Sequence, residues 1–229
     1  MLKRRLFLLL AVLLPLLGFA QAKSVPYFSQ IGGTSKLDAD WTVYNVNGDE
    51  KTWINDASPS TYSSISAVKV TAGAKYLYNT KADANDWLVS PAIHLEADKE
   101  YKVSFYVKTS GSYKESLRLA VANANSAEDM ATKSETLLDF PELTEKTFVK
   151  KSVVYVARES GDYYFGLYEY SKKDLYNVFV TAFSVAENIT TPAPVTGLTA
   201  TEGANEAITV DLKWTLPTKD EDGNDLTTP

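Results

Sequence analysis

The nine-residue stretch Trp87-Leu-Val-Ser-Pro-Ala-Ile-His-Leu95 is typical of a β-strand that is interrupted in its middle. Its large apolar side chains occupy odd-numbered positions, as a half-buried strand requires, at Trp87, Val89, Ile93 and Leu95. Pro91 has no N–H to donate to a neighbouring strand, so it indicates an edge, a bulge or a switch between sheets. The alternation predicts that the apolar positions face a core.

A longer strand is predicted directly after this stretch. The turn-rich segment Glu96–Glu100 is followed by strict alternation of apolar with other residues, and the same pattern returns around residues 116–122. We predict that these two segments form antiparallel strands and line one core, with Trp87 buried against them. The core residues are Tyr101, Val103, Phe105, Val107, Leu117, Leu119 and Val121.

Short strand-like segments separated by turns account for most of the remaining chain up to residue 186. They are Ser24–Ile31, Ile65–Val70, Lys75–Asn79, Phe148–Val156, Tyr163–Tyr170 and Tyr176–Val185. Only Ser126–Lys133 has helical propensity, enough for one or two turns. Nine to twelve short strands without a sustained helical period predict an all-β, antiparallel β-sandwich.

The first 22 residues have the organisation of a secretory signal peptide. Met1–Arg5 is basic, Leu6–Phe19 is apolar but short for a membrane span, and Ala20–Ala22 provides the small-residue cleavage site. The mature chain is predicted to begin at Lys23. We therefore expect a protein that is secreted or held at the bacterial cell surface, with no membrane insertion after cleavage.

The charge and the lack of cysteine exclude several classes of function. Signal cleavage removes three basic residues and no acidic residue, so the formal net charge changes from −6 to −9. An acidic surface argues against nucleic acid and anionic lipid as partners. Without cysteine, the chain has no disulfide framework, no thiol nucleophile and no thiolate metal site.

The composition changes near the C-terminal end. Residues 188–194 contain two prolines and are predicted to form a linker. Beyond them, Val195–Thr201 and the alternating segment Ile208–Leu216 are predicted to be strands. Two strands cannot bury a core alone, so we interpret residues 195–229 as an incomplete second β-sandwich.

Three segments together resemble the cleaved-adhesin, or choice-of-anchor J, family of secreted Gram-negative proteins. They are the tryptophan-bracketed loop Trp41–Trp53, the stretch Asp86–Leu95 and the strand Glu100–Phe105. The family includes the adhesin regions of the gingipain proteases, and the resemblance implies a jelly-roll-type β-sandwich over residues 23–187. Residues 194–201 with 212–215 are similar to the first two strands of a fibronectin type III module, which commonly follows this jelly roll.

The resemblance also raises the question of calcium. The family's tryptophan-bracketed loop often carries aspartates at alternate positions, and the corresponding residues here are Asn45, Asn47 and Asp49. Calcium affinity depends on the charge of the ligands, and two charges have been lost. The acidic pair usual near the family's last strand is also missing. The loop is therefore either a weakened calcium site or a plain turn, and we expect no other cofactor.

No catalytic residue is predicted. His94 is the only histidine, so any Ser-His-Asp triad would have to include it, and its alternation with Ile93 and Leu95 directs it away from the core. Glu96–Glu100 contains three carboxylates at alternate positions, as in some β-glucanases, but it is predicted to be a turn. We therefore expect no intrinsic enzymatic activity.

The tyrosine-rich strand Tyr163–Tyr170 carries the strongest candidate for a binding surface. If Tyr163, Phe165 and Leu167 face the core, the opposite face presents tyrosines around a hollow at Gly166. Aromatic side chains with polar tips suit sugars and protein partners, although ordinary cross-strand packing is the competing interpretation. The predicted ligand-binding residues are Tyr164, Tyr168 and Tyr170, assisted by Tyr106.

These observations predict a non-catalytic recognition module of a larger, multidomain bacterial surface protein. Its expected partner is a glycan or a host or surface protein, and it is expected to be monomeric. Two alternatives remain open at this point: an accessory domain of a secreted protease or glycoside hydrolase whose catalytic domain lies elsewhere, and a structural spacer.

Overall fold

The computed structural model describes residues 21–189, 192, 194–202 and 210–219. Almost all of the predicted signal peptide, part of the predicted linker and much of the predicted second module therefore lie outside the described residues. No helix among the described residues is long and apolar enough to span a membrane.

The described chain contains fourteen strands and two short helices. The strands are β1 (Tyr27–Ser29), β2 (Thr42–Asn45), β3 (Trp53–Asp56), β4 (Gly73–Tyr76), β5 (Asp86–Val89), β6 (Ile93–Leu95), β7 (Glu100–Thr109), β8 (Glu115–Ala122), β9 (Glu135–Leu143), β10 (Val149–Val156), β11 (Gly161–Glu169), β12 (Val178–Glu187), β13 (Thr196–Glu202) and β14 (Val210–Thr215). The helices are α1 (Pro59–Tyr62) and α2 (Ala127–Thr132). Helix α2 confirms the predicted helical segment.

The first twelve strands form two six-stranded sheets. The first sheet has the order β10-β7-β12-β4-β3, with β1 beside β12, and the second has the order β2-β5-β11-β8-β9, with β6 beside β11. All of the strand pairs in these two sheets are antiparallel. The structure is therefore the predicted all-β, jelly-roll-type antiparallel sandwich.

The main core lies between the two sheets. The apolar side chains of β7 from the first sheet and β8 from the second belong to one buried cluster, and each of the seven predicted core residues is at most 3% exposed. Aromatic contacts cross the sandwich: the Phe165 ring lies 5.8 Å from that of Phe183 and 6.3 Å from that of Tyr155, measured between ring centroids. These contacts confirm the predicted core.

Trp87 is buried, but the predicted side of the sheet is wrong. Leu88 faces the main core, whereas Trp87 and Val89 belong to a separate cluster on the outer face of the second sheet. The cause is an extra residue after β5. Val89 pairs with Gly166, and Ile93 pairs with Tyr163. The chain advances four residues from Val89 to Ile93 but only three residues along β11, from Gly166 back to Tyr163.

This insertion is a β-bulge at Ser90 and Pro91, and it reverses the alternation between β5 and β6. The Ser90 hydroxyl supports it, because it accepts a hydrogen bond from the Phe165 amide at 3.0 Å. A bulge is one of the three outcomes that Pro91 predicted.

One other prediction about strands is wrong. Ile65–Val70 is not a strand; Ile65 and Val70 pack in a third apolar cluster with Tyr62 and Ala182. Conversely, β9 lies outside the predicted strands, because it shows little alternation and contains Pro141. A short run of apolar residues indicates that the segment is buried, but it does not distinguish a strand from a packed loop.

Strands β13 and β14 pair as a separate two-stranded antiparallel sheet. Its apolar side chains are exposed; Leu212, for example, is 57% exposed and Trp214 is 48% exposed. Assignment of residues 195–229 to a fibronectin type III module stays a prediction.

Candidate functional site

The tyrosines of β11 alternate between the two faces of the second sheet, as predicted. Tyr163, Phe165 and Leu167 are buried in the main core, whereas Tyr164 and Tyr168 lie on the outer face against the second apolar cluster. Both outer tyrosines are partly exposed, as is Tyr170 just beyond the end of the strand. Their role in binding stays a prediction at this point.

A row of side chains crosses the outer face over five adjacent strands. In register, Tyr44 on β2 pairs with Trp87 on β5, Trp87 with Tyr168 on β11, Tyr168 with Arg118 on β8, and Arg118 with Asp139 on β9. We call these five residues the aromatic row. Directly paired side chains on one face of a sheet are close neighbours, so the row is continuous.

Ring stacking and a guanidinium group hold the centre of the row together. The Tyr168 ring stacks on Trp87 at 4.5 Å and on Tyr170 at 5.5 Å, between ring centroids. The Arg118 guanidinium carbon lies 5.9 Å from the Tyr168 centroid and 5.1 Å from that of Tyr170, within the range of cation–π attraction. The rings therefore present edges and hydroxyl groups, more than free faces, to solvent.

Polar atoms border the row. The Tyr168 hydroxyl donates to the Asn85 side-chain oxygen at 3.0 Å, and the Tyr170 hydroxyl donates to the Asp139 carboxylate. An Arg118 Nη atom lies 3.4 Å from the same carboxylate. Burial and the Asp139 hydrogen bond raise the pKa of Tyr170 to about 12, so its hydroxyl keeps its proton at physiological pH.

Arg118 also has a donor without a partner. Its Nε atom is buried and makes no hydrogen bond to any described residue. Asp139 therefore uses only part of the guanidinium fork, and a buried donor without a partner costs free energy. Sequence reasoning did not identify Arg118, Asp139, Tyr44 or Trp87 as site residues, because their alignment depends on strand order.

The hollow predicted at Gly166 is filled. A Cβ atom at this position would lie 2.4 Å from the Met130 methyl group and 2.7 Å from the Trp87 ring. Met130 belongs to α2, is fully buried, and packs with Val89 and Ala120 on the outer face. Gly166 therefore permits close packing of α2 on the sheet, and it does not leave an open cavity.

Replacement of Gly166 by alanine is expected to destabilise the domain by about 1–3 kcal/mol, because the new methyl group overlaps Met130 and Trp87. The end of Met130 can move, but the Trp87 ring is held by Tyr168. Urea denaturation gives the free energy of unfolding. The matched control is Gly161→Ala on the same strand, where a Cβ meets nothing within 4 Å. Equal effects of the two substitutions would contradict this packing.

Tyr106 does not belong to this surface, contrary to the prediction. It lies on β7 of the first sheet and packs against the cluster that contains Tyr62, with Phe148 nearby. It therefore occupies the outer face of the opposite sheet. The error arose because alternation shows which residues share a face of one strand, but it does not show which sheet the strand joins.

The loop with Asn45, Asn47 and Asp49 is closed by its own hydrogen bonds. The Asn45 side-chain oxygen accepts from the Gly48 amide at 2.9 Å, and Asp49 accepts from the Lys51 amide at 2.7 Å. The Asn47 amide group donates to the Asp49 carboxylate at 2.9 Å. Amide hydrogens thus face the carboxylate where calcium would require oxygen ligands. The geometry favours the plain turn, and calcium binding stays a prediction.

Three carboxyl groups are fully buried at the end of the sandwich where β5 and β8 begin and β11 ends. They belong to Asp86, Glu115 and Glu169, and each has one oxygen without a partner among the described residues. Burial raises the pKa of all three, that of Glu169 well above its usual range. In the part of the chain that the structure describes, no group of three acidic or histidine residues is arranged to hold a metal ion.

The residues considered for catalysis lie in ordinary surface positions. His94 is exposed, and its Nδ1 atom lies 2.9 Å from an Asp162 oxygen. Residues 96–99 connect β6 and β7, so the predicted turn is confirmed except for Glu100, which begins β7. Lys99 pairs with Glu96 at 3.1 Å and with Glu187 at 3.0 Å. Among the described residues, the His94 ring forms a hydrogen bond with Asp162 and none with a serine or threonine hydroxyl group.

Solved structures place this fold in the class of adhesin-type β-sandwiches. The K1 cleaved adhesin domain of Lys-gingipain from Porphyromonas gingivalis W83 superposes with a TM-score of 0.54 at 15% identity, covering 72% of this chain and 99% of that domain. The K3 domain gives 0.52 at 16% identity, covering 70% and 96%. The K2 domain gives 0.52 at 12% identity, covering 72% and 99%.

The chain therefore has the fold of the Lys-gingipain cleaved adhesin domains, as the resemblance implied. At these identities the likeness concerns the fold alone. No protein-family model and no curated protein sequence matches the chain.

Proposed function

We propose that this protein is a non-catalytic recognition module that binds a glycan through the outer face of its second sheet. The observation that carries the proposal is the aromatic row, in which three aromatic side chains, a guanidinium and a carboxylate align across five strands. The predicted signal peptide supports a location outside the cell or at its surface.

The chemistry of the row suits a carbohydrate. The exposed edges of the Tyr44 and Tyr168 rings offer apolar surface to the C–H groups of a pyranose, and their hydroxyl groups can exchange hydrogen bonds with the sugar. Trp87 is only 3% exposed and supports the Tyr168 ring by stacking on it. The Arg118 guanidinium and Asp139 carboxylate are planar groups with paired donors and paired acceptors, which match neighbouring sugar hydroxyls. At this face the Arg118 guanidinium is paired with the Asp139 carboxylate, and this local charge balance favours a neutral glycan over an acidic one.

A rigid surface lowers the cost of binding. Stacking on Trp87 and the hydrogen bonds to Asn85 and Asp139 fix the tyrosines before any ligand arrives. Less side-chain entropy is therefore lost on association. A protein partner could use the same surface, but the paired polar groups beside the rings favour a ligand with many hydroxyl groups.

The test is a screen of neutral oligosaccharides on an array, followed by calorimetry with the best ligand. We expect Tyr170→Ala and Arg118→Ala each to weaken binding about tenfold, equivalent to about 1.4 kcal/mol. The matched control is Tyr106→Ala, which removes a partly exposed tyrosine from the opposite sheet. Thermal denaturation checks that all variants remain folded.

Two outcomes would contradict the proposal. One is a folded protein that binds no glycan of the screen at millimolar concentration. The other is a ligand whose affinity is unchanged by Tyr170→Ala and Arg118→Ala but is reduced by Tyr106→Ala.

A further inference from the structure

A second group of tyrosines lies at one end of the sandwich and is separate from the aromatic row. Tyr78 follows β4, Tyr113 lies between β7 and β8, and Tyr176 precedes β12. The Tyr176 ring stacks on Tyr78 at 5.0 Å and on Tyr113 at 6.0 Å, with interplanar angles of 25° and 21°. We call these three residues the loop-end stack. Tyr113 is 48% exposed and Tyr176 is 39% exposed.

Backbone hydrogen bonds join the loops that carry this stack. The Asp174 amide donates to the Asn79 carbonyl at 2.8 Å, and the Ala84 amide donates to the Ser171 carbonyl at 2.9 Å. The Tyr176 amide donates to the buried Glu115 carboxyl group at 2.6 Å. The Ser110 amide, which donates to the Asn177 carbonyl at 3.0 Å, joins the loop of Tyr113 to that of Tyr176. The three loops are therefore held together before a ligand arrives, which lowers the entropy cost of binding.

A hollow of about 300 Å³ lies beside the stack. It is lined by Lys51, Leu77, Tyr78, Thr80 and Asn177. This volume is at the lower end of the range for small-ligand pockets, about 300–1,000 Å³. The lining residues are of mixed character: one is aromatic, one is aliphatic, and the others carry a hydroxyl, an amide or an ammonium group. A single sugar ring matches both the size and the mixed character of the hollow.

The charge of the hollow identifies the class of sugar. Of the described residues that line it, Lys51 alone is charged. The nearby Asp49 carboxylate already accepts hydrogen bonds from the Lys51 backbone amide and the Asn47 side chain. The net negative charge of the protein acts at long range, and physiological salt screens charges beyond about 8 Å. A direct contact with the Lys51 ammonium therefore outweighs it, and this contact favours a carboxylate.

We propose that the loop-end stack and its hollow bind a carboxylate-bearing pyranose, such as a uronic acid residue of a glycan. The sugar ring packs against Tyr78, its carboxylate pairs with Lys51, and Thr80 and Asn177 contact its hydroxyl groups. This site uses none of the residues of the aromatic row, so it can exist whether or not the outer face binds a glycan.

The test is a titration of the isotope-labelled protein with methyl glucuronide and with methyl glucoside, followed by two-dimensional NMR. We expect the glucuronide to bind at least fivefold more tightly, with shifts of the Lys51, Tyr78 and Thr80 amides, and the difference to decrease as salt is added. Lys51→Gln should abolish the preference for the acidic sugar. Tyr113→Ala, which loosens the exposed end of the stack, should weaken binding of both sugars.

Equal binding of the two sugars, or no binding of either at 50 mM, would overturn the proposal. So would a preference for the glucuronide that survives Lys51→Gln. Tyr170→Ala serves as the control from the outer face and should leave this titration unchanged. Loss of glucuronide binding in Tyr170→Ala would mean that the acidic sugar binds at the aromatic row instead.

Discussion

Replacing Phe165 by alanine is expected to lower the free energy of unfolding by about 3–5 kcal/mol, a large part of the stability of an ordinary domain. Phe165 is fully buried on β11 and contacts Phe183 and Tyr155, which belong to the opposite sheet. The substitution therefore leaves a cavity where the two sheets meet. Urea denaturation followed by tryptophan fluorescence measures the loss.

The control is Val154→Ala on β10, because this side chain is 47% exposed and its loss should cost less than about 1 kcal/mol. A loss below about 1 kcal/mol for Phe165→Ala would mean that the sheets do not pack through this residue. A larger loss in the free energy of unfolding for Phe165→Ala than for Val154→Ala would support the packing of the two sheets, independently of any ligand.

Replacing Glu169 by glutamine is expected to stabilise the protein at pH 8 by more than about 1 kcal/mol. Glu169 is fully buried, and burial raises the pKa of its carboxyl group well above the usual range, with Glu115 and Asp86 adding to the effect. The ionised form is therefore unfavourable inside the fold. Glutamine keeps the acceptor for the Ser171 amide and carries no charge at any pH.

The pH dependence follows from the direction of this pKa shift. The folded protein binds the Glu169 proton more tightly than the unfolded chain, so the contribution to stability is complete at acidic pH and is lost as the pH rises through the folded-state pKa. Melting temperatures between pH 5 and pH 8 should therefore decrease for the parent protein and decrease less for Glu169→Gln. A variant that is less stable than the parent at every pH would contradict this assignment.

The parts of the fold that could be predicted are those in which local pattern and burial agree. Residues 101–107 and 117–121 alternate over long strands, and each strand has one face in the core. The helical turns around Met130 were also predictable, because Ser126 is a strong N-cap residue and caps the Asp129 amide at 3.0 Å. Such signals lie within a few residues of one another in the sequence.

The parts that could not be predicted depend on contacts between distant segments. The bulge at Ser90 reverses the alternation of the most informative stretch, so Trp87 lies on the outer face. The alignment of Arg118 with Tyr168 requires knowledge that β8 and β11 are neighbours. The prediction that Tyr106 belongs to the binding surface is wrong for the same reason. Sequence periodicity shows which residues share one face of a strand. The site also depends on the order of the strands in the sheet, because that order determines which side chains lie side by side.

The buried carboxyl groups are a further example. Glu115 and Glu169 stand at the ends of strands, where acidic residues are normally solvated, and nothing local in the sequence distinguishes them. Their partners come from the segment after β11: the Tyr176 amide donates to Glu115 and the Ser171 amide donates to Glu169.

Binding of a glycan to the outer face of the second sheet can be measured by hydrogen exchange of the protein with and without the best glycan from the screen. We expect slower exchange for backbone amides around Arg118, Asp139 and Tyr168, and no change around Tyr106 and Phe148 on the opposite sheet. Protection confined to the amides around Tyr106 and Phe148 would contradict it.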